Sequence, residues 1–254
     1  MLPFLVLGPL KIPTYGLMLA TAFIVASALI EQEFRRRGMG RNVGWDTVAV
    51  ALIAGLIGCR INFLIENRAA VAQAGAKAVF GGSGMTWYGG FILALIAVIV
   101  FWRMRKVRML PGLDTMAMVM PLAYAIGRVG CQLSGDGDYG RPSSLPWAMS
   151  YPNGTVPTLL RVHPTPVYEA LLMTGFFFVL WNLRTKKHPN GFIFALYLLG
   201  YGLERFLIEF IRTNKPVLAG LTEAQVMSVV LVVAGVAMLV WMRRTGQEKA
   251  EVRS

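Results

Sequence analysis

Six ionisable side chains lie within long apolar runs of this chain: Arg60, Arg128, Glu169, Glu204, Arg205 and Glu209. Charge in a bilayer interior costs about 2.5–3.5 kcal/mol on insertion scales, so such residues are read first as functional. Tyr201, Arg205 and Glu209 follow one another at steps of four, and Arg212 comes three later. That spacing holds all four on one broad helical face, where they could handle an anion or where Arg205 and Glu209 could simply pair. Arg128 opens a second constellation, Gly127-Arg128-Val129-Gly130-Cys131-Gln132-Leu133-Ser134-Gly135-Asp136-Gly137-Asp138-Tyr139-Gly140-Arg141. A planar guanidinium offers several donors to phosphate oxygens, and the glycines permit close backbone approach. The plainer alternative is a glycine packing seam beside an arginine that reaches the interface.

A third group, His163-Pro164-Thr165-Pro166-Val167-Tyr168-Glu169, reads as a helix start, with proline tolerated in the first turn. His163 there is either structural or catalytic. Further upstream, Gly81-Gly82-Ser83-Gly84-Met85-Thr86-Trp87-Tyr88-Gly89-Gly90 sets Tyr88 among glycines, either as an interfacial anchor or as a contact for lipid. Arginines, a histidine, tyrosines and carboxylates in this combination suit an anionic lipid head group.

The elements that would position these residues are membrane helices. Of 254 residues, 56% are hydrophobic and 15% charged, against roughly 45–50% and about 25% in soluble domains. A span needs about 20 apolar residues. Candidate spans are 15–30, 45–65, 85–102, 113–133, 166–183, 191–211 and 222–241. The first is short and is expected to extend toward Lys11; one re-entrant run would reduce the count to six. The expectation is an all-α integral membrane protein of about seven transmembrane helices, residues 1–254 forming a single polytopic domain. Met1 to Leu10 lacks the basic start and the cleavage site of a signal peptide and reads as a retained segment.

The net charge of +12 follows the same layout. Basic clusters at Arg35-Arg36-Arg37, Arg103 to Arg108, Arg184 to Lys187 and Arg243-Arg244 close apolar runs. Alternate connecting segments carry fifteen and seven of the 25 lysines and arginines, which puts the N-terminus outside and the C-terminus in the cytoplasm. The polar segment 134–165, and the site residues with it, then face the extracytoplasmic side. No aromatic-interleaved basic surface suggests nucleic acid as a partner. Cys59 and Cys131 show no metal-ligand or disulfide spacing and read as two buried thiols.

In this order the motifs resemble the prolipoprotein diacylglyceryl transferase family. The resemblance rests on Gly8-Pro9-Leu10 with Tyr15-Gly16-Leu17, Gly58-Cys59-Arg60 and Met85 to Gly90. It continues through Gly127 to Arg141, His163-Pro164 with Tyr168-Glu169, Tyr201 with Arg205 and Glu209, and Leu221-Thr222 with Gln225. It implies a seven-helix enzyme of the bacterial cytoplasmic (inner) membrane with its N-terminus outside. The implied reaction, the first step of lipoprotein maturation, moves the diacylglyceryl group of phosphatidylglycerol to the lipobox cysteine of a preprolipoprotein signal peptide. Glycerol phosphate is released, and no metal or other cofactor is used. Arg128 and Arg205 match the family's two key arginines; Tyr15, Arg60, Tyr201 and Glu209 match further positions it uses. Three features depart from the usual pattern. Cys131 and Ser134 replace two asparagines of the signature, the acidic part reads Gly135-Asp136-Gly137-Asp138 with one residue more, and Tyr88 stands for a frequent histidine.

The implied chemistry is attack of a thiol on the glycerol carbon that bears phosphate. A thiol with a pKa of about 8.5 must lose its proton, and an anionic phosphate ester must leave. Arg128 and Arg205 would bind that phosphate and stabilise charge on its oxygen. A phenol, with a pKa of about 10, is a poor base, so Tyr88 would orient or hydrogen-bond the lipid. His163 and Asp138 are the possible bases, and Tyr15, Arg60, Asp138, Tyr201 and Glu209 would line the substrate site. Competing readings are a paralogous transferase with another acceptor, or a lipid-binding or transport protein, although repeated halves and broken helices are not apparent.

Overall fold

The computed structural model describes residues 1–68 and 87–251, with side chains for 1–6, 8–68 and 89–245. Among these, seven α-helices account for most of the chain: α1 (Thr14–Arg36), α2 (Val43–Glu66), α3 (Trp87–Met104), α4 (Met109–Ser134), α5 (Thr165–Leu183), α6 (Phe192–Ile208) and α7 (Glu223–Glu251). Five of them, α1, α2, α4, α5 and α7, are long and apolar enough to cross a membrane. Their surfaces are the reverse of a soluble protein's. On α2 alone, Ile53, Leu56, Ile57 and Ile65 are each at least half exposed. A helix apolar on all sides that leaves such side chains uncovered is built for lipid.

The helix bounds follow the expected spans except at α1 and at the end of α7, which runs on to Glu251 and not to 241. The first span does not extend toward Lys11: residues Leu10–Pro13 form a strand, and α1 instead runs on to Arg36. Carboxylates allow this extension, because Glu31 and Glu33 pair with Arg35, Arg36 and Arg37 at helical spacing. Short antiparallel hairpins also punctuate the helices. They are β1 (Phe4–Leu7) with β2 (Leu10–Pro13), β3 (Met149–Tyr151) with β4 (Thr158–Val162), and β5 (Pro216–Leu218) with β6 (Leu221–Thr222).

The chain divides into two compact units, one of residues 27–112 and one of 1–26 with 113–254. In the smaller, α2 and α3 meet along glycines. A Cβ on Gly58 would strike the Gly89 carbonyl, and one on Gly90 would strike the Cys59 sulfur. Small residues let two backbones approach where no hydrophobic effect drives them together. The Glu31 carboxylate caps the start of α2, accepting from the Asn42 and Gly44 amides at 2.7 and 2.9 Å. Trp102, 1% exposed, donates its indole N–H to the Thr47 hydroxyl at 2.9 Å. Arg60 belongs to this unit, with its guanidinium 5.4 Å from the Phe63 ring centroid.

In the larger unit, α6 and α7 use the same device. A Cβ on Gly202 would lie 2.9 Å from the Ser228 carbonyl, and one on Gly235 2.8 Å from that of Ala195. Asp114 of α4 holds the start of α6, accepting from the Gly191 and Phe194 amides at 2.7 and 2.9 Å. These two fixtures set the direction in which α6 delivers Tyr201, Glu204 and Arg205.

Candidate active site

The charged residues of the larger unit gather where α4, α5 and α6 end or begin. Glu169 lies one turn inside α5 and is 0% exposed. Arg128 of α4 brings its Nε to 3.0 Å from Glu169 Oε2, and Arg205 of α6 brings Nη1 to 3.0 Å from Oε1. Tyr124, one turn before Arg128, donates its hydroxyl to the same Oε1 at 2.8 Å, and Arg212 stands 3.7 Å from Oε2. A carboxylate buried in an apolar bundle is tolerable only with partners of this kind.

Helix α6 breaks at the cluster. Residues Glu209–Ile211 turn into a single 3₁₀ segment, leaving Glu209 3.4 Å from Arg205 and 3.8 Å from Arg212. Asn214 donates to Glu209 at 2.5 Å. The spacing of Arg205, Glu209 and Arg212 therefore yields both the local ion pairs and a shared face toward Glu169.

The glycine-rich stretch closes the cluster from above. Gly135 and Gly137 take φ of +59° and +95°, which only glycine adopts without strain. Gly140 fits because it has no Cβ: one there would lie 2.5 Å from the Ile211 carbonyl. The path brings Asp138 onto Arg128 and onto Arg212, the latter at 2.5 Å. Burial opposes the charge on Asp138, but Arg212 and Arg128 outweigh it and hold the carboxyl below the usual range. The backbone is stitched to both helices, with the Gly140 amide on the His163 carbonyl at 2.9 Å and the Arg141 amide on that of Ile211 at 2.8 Å. The β3–β4 hairpin folds back over the end of α4, where Tyr151 donates to Gln132 at 2.9 Å and stacks on Tyr139. Burial pushes the Tyr151 hydroxyl above the ordinary tyrosine value.

The other expected residues are placed as follows. His163 turns its Nδ1 to the Tyr168 hydroxyl at 3.5 Å, and the exposed Trp147 donates to that hydroxyl at 2.7 Å. Tyr201 packs edge-on to Tyr124 and stacks with Tyr197. Tyr15 lies beside α4 at Gly130, where a Cβ would meet its ring at 3.3 Å. Residues 81–86 and the side chain of Tyr88 fall outside the described residues. Cys59 and Cys131 form no disulfide, and the Cys131 sulfur is 3.9 Å from Arg128 Nη1. Among the described residues, Cys131, Asp136 and Asp138 bring three donor atoms within 4.8 Å of one another. Two guanidiniums already bound to Asp138 oppose a cation there.

Sequence reasoning placed Glu169 inside a span but gave it no role, and it did not weigh Tyr124. The available signal for Glu169 was a lone carboxylate one turn into an apolar helix after Pro164 and Pro166. Chemically, three guanidiniums fixed by buried carboxylates form a rigid, preorganised anion site.

The chain is 31% identical to the phosphatidylglycerol–prolipoprotein diacylglyceryl transferase of Clostridioides difficile (strain 630), covering 91% of this chain and 90% of that protein. It is 32% identical to the protein of that name in Chromohalobacter salexigens, covering 98% and 94%, and 31% identical to the one in Bordetella avium (strain 197N), covering 92% and 91%. The sequence profile described as prolipoprotein diacylglyceryl transferase matches residues 3–241, and the chain belongs to that family.

Proposed function

We propose that this protein transfers the diacylglyceryl group of phosphatidylglycerol to the lipobox cysteine of preprolipoproteins in a bacterial cytoplasmic membrane. The observation that carries the reading is the convergence of Arg128, Arg205 and Arg212 on Glu169 within an apolar bundle. Such a site favours a phosphodiester over a neutral ligand, and its fixed donors can stabilise charge gathering on the leaving oxygen. Asp138 sits on the exposed side of Arg128 and Arg212, with its side chain 34% exposed. The lipid phosphate binds Arg128 and Arg205 while Glu169 holds both guanidiniums from within.

In this reading Arg128 and Arg205 bind the phosphate, and Tyr88 hydrogen-bonds the lipid. Tyr15, Asp138, Tyr201 and Glu209 complete the substrate site of the larger unit, and Arg60 is a further residue for substrate binding. The acceptor thiol must also lose its proton. Asp138 is poorly suited because protonation would break its ion pairs with two guanidiniums, which leaves His163 among the residues expected from sequence. Residues 1–254 act as one membrane domain of seven spans, with the N-terminus and segment 134–165 outside. The Lys and Arg bias supports this orientation. The functional test is rescue of a bacterium depleted of its own diacylglyceryl transferase. Failure of a well-expressed protein to rescue, together with no transfer from phosphatidylglycerol to a lipobox peptide, would overturn the reading.

A further inference from the structure

Glu204 is a buried carboxylate of the cluster region that the ion pairs leave out. It is 8% exposed, and neither carboxylate oxygen has a hydrogen-bond partner among the described residues. Its neighbours in the cluster are all engaged. Asp138 holds Arg128 and Arg212; Glu169 holds Arg128, Arg205 and Arg212; Glu209 holds Arg205, Arg212 and Asn214. Three guanidiniums thus face three carboxylates, and Glu204 is a fourth acid without a counter-ion. A purely structural carboxyl at this depth would be expected to hold a donor.

We infer that Glu204, a buried carboxyl without a partner one residue from Arg205, takes the acceptor thiol's proton and passes it to the departing phosphate ester. The inference rests on the placement of phosphate at the arginine cluster. Proton uptake by Asp138, Glu169 or Glu209 would break at least two ion pairs in each case, whereas uptake by Glu204 breaks none. The phosphodiester brings one more negative charge to the cluster, and a proton on Glu204 offsets it. The charged and titratable groups that act on Glu204 come from three helices and the segment after α6. They are Tyr124 and Arg128 of α4, Glu169 of α5, Tyr197, Tyr201 and Arg205 of α6, and Arg212. His163, by contrast, faces the Tyr168 hydroxyl.

The step balances. The S–H bond breaks and its proton goes to a Glu204 oxygen. A C–S bond then forms at the glyceryl carbon as the C–O bond to phosphate breaks. The phosphate monoester leaves with one added negative charge on that oxygen, which takes the proton back from Glu204. The carboxylate ends as it began.

The test is the pH profile of transfer from phosphatidylglycerol to a lipobox peptide, using the purified full chain from pH 6 to 9.5. At pH 7 Glu204→Gln is expected to lose about 10²–10⁴-fold in kcat. It should regain roughly tenfold per pH unit until the free thiol ionises near a pKa of about 8.5. Wild type should lack that rise. Glu204→Asp, slower but still a carboxyl, should keep the wild-type shape. Retention of phosphatidylglycerol by Glu204→Gln should match wild type and report that it is folded. A Glu204→Gln profile parallel to wild type, or the tenfold-per-unit rise in His163→Gln instead, overturns the proton role. Arg205→Lys separates the two readings. If it binds and transfers as wild type does, the phosphate placement fails; if it is impaired while Glu204→Gln stays parallel to wild type, only the proton role falls.

Discussion

Arg128 and Arg205, from different helices, grip opposite oxygens of one buried carboxylate, each at 3.0 Å from Glu169. Glu169 therefore fixes both guanidiniums in position before any lipid arrives. Glu169→Gln keeps the shape but leaves three arginines short of an anion. Breaking a buried pair in this way costs about 3–5 kcal/mol, so thermal unfolding in detergent should shift markedly downward and transfer should fall with it. Arg205→Lys and Arg128→Lys keep the charge and lose the fork. They should impair transfer more than stability, and normal transfer by both would make these arginines structural.

The resemblance to the family implies a frequent histidine at the position of Tyr88. If its hydroxyl only hydrogen-bonds the lipid, Tyr88→Phe should cost about 0.5–1.5 kcal/mol, roughly tenfold in rate at most. A loss beyond about a thousandfold at every pH would instead make it an ionising group, which demands about three pKa units of change in a phenol. The measurement is the transfer rate of purified variants across pH.

Asp138 gives the site an acid limit. Its carboxyl is held below its unfolded value by Arg212 and Arg128, against the opposing effect of burial. The stabilisation is therefore present above a pH of about 3.9 and is lost as pH falls through the depressed folded value. Unfolding followed from pH 7 down to pH 2 should show this loss in wild type. Asp138→Asn should be less stable at neutral pH and should lack that component of the acid transition.

Topology can be read with reporters. One active only outside should work when fused after Thr155, and one active only in the cytoplasm should work after Ser254. A silent reporter at Thr155 would reverse the orientation and move the site to the other face.

Much of this protein was legible in its sequence because lipid imposes simple rules. Apolar runs of membrane length predicted where the helices lie, though not the ends of α1 and α7, and the four-and-three spacing of Arg205, Glu209 and Arg212 predicted their local pairs. Family motifs spread over the whole chain predicted the family. Other features had no local signal. Hairpin strands of two to five residues are too short for periodicity to mark them, so β1–β2 was hidden and α1 was expected to extend the wrong way. Glu169 and Glu204 both look like lone acids in apolar helices. Only the convergence of α4, α5 and α6 gives one of them three guanidiniums and leaves the other with none, because ion pairing is set by distance in space between groups 36 or more residues apart.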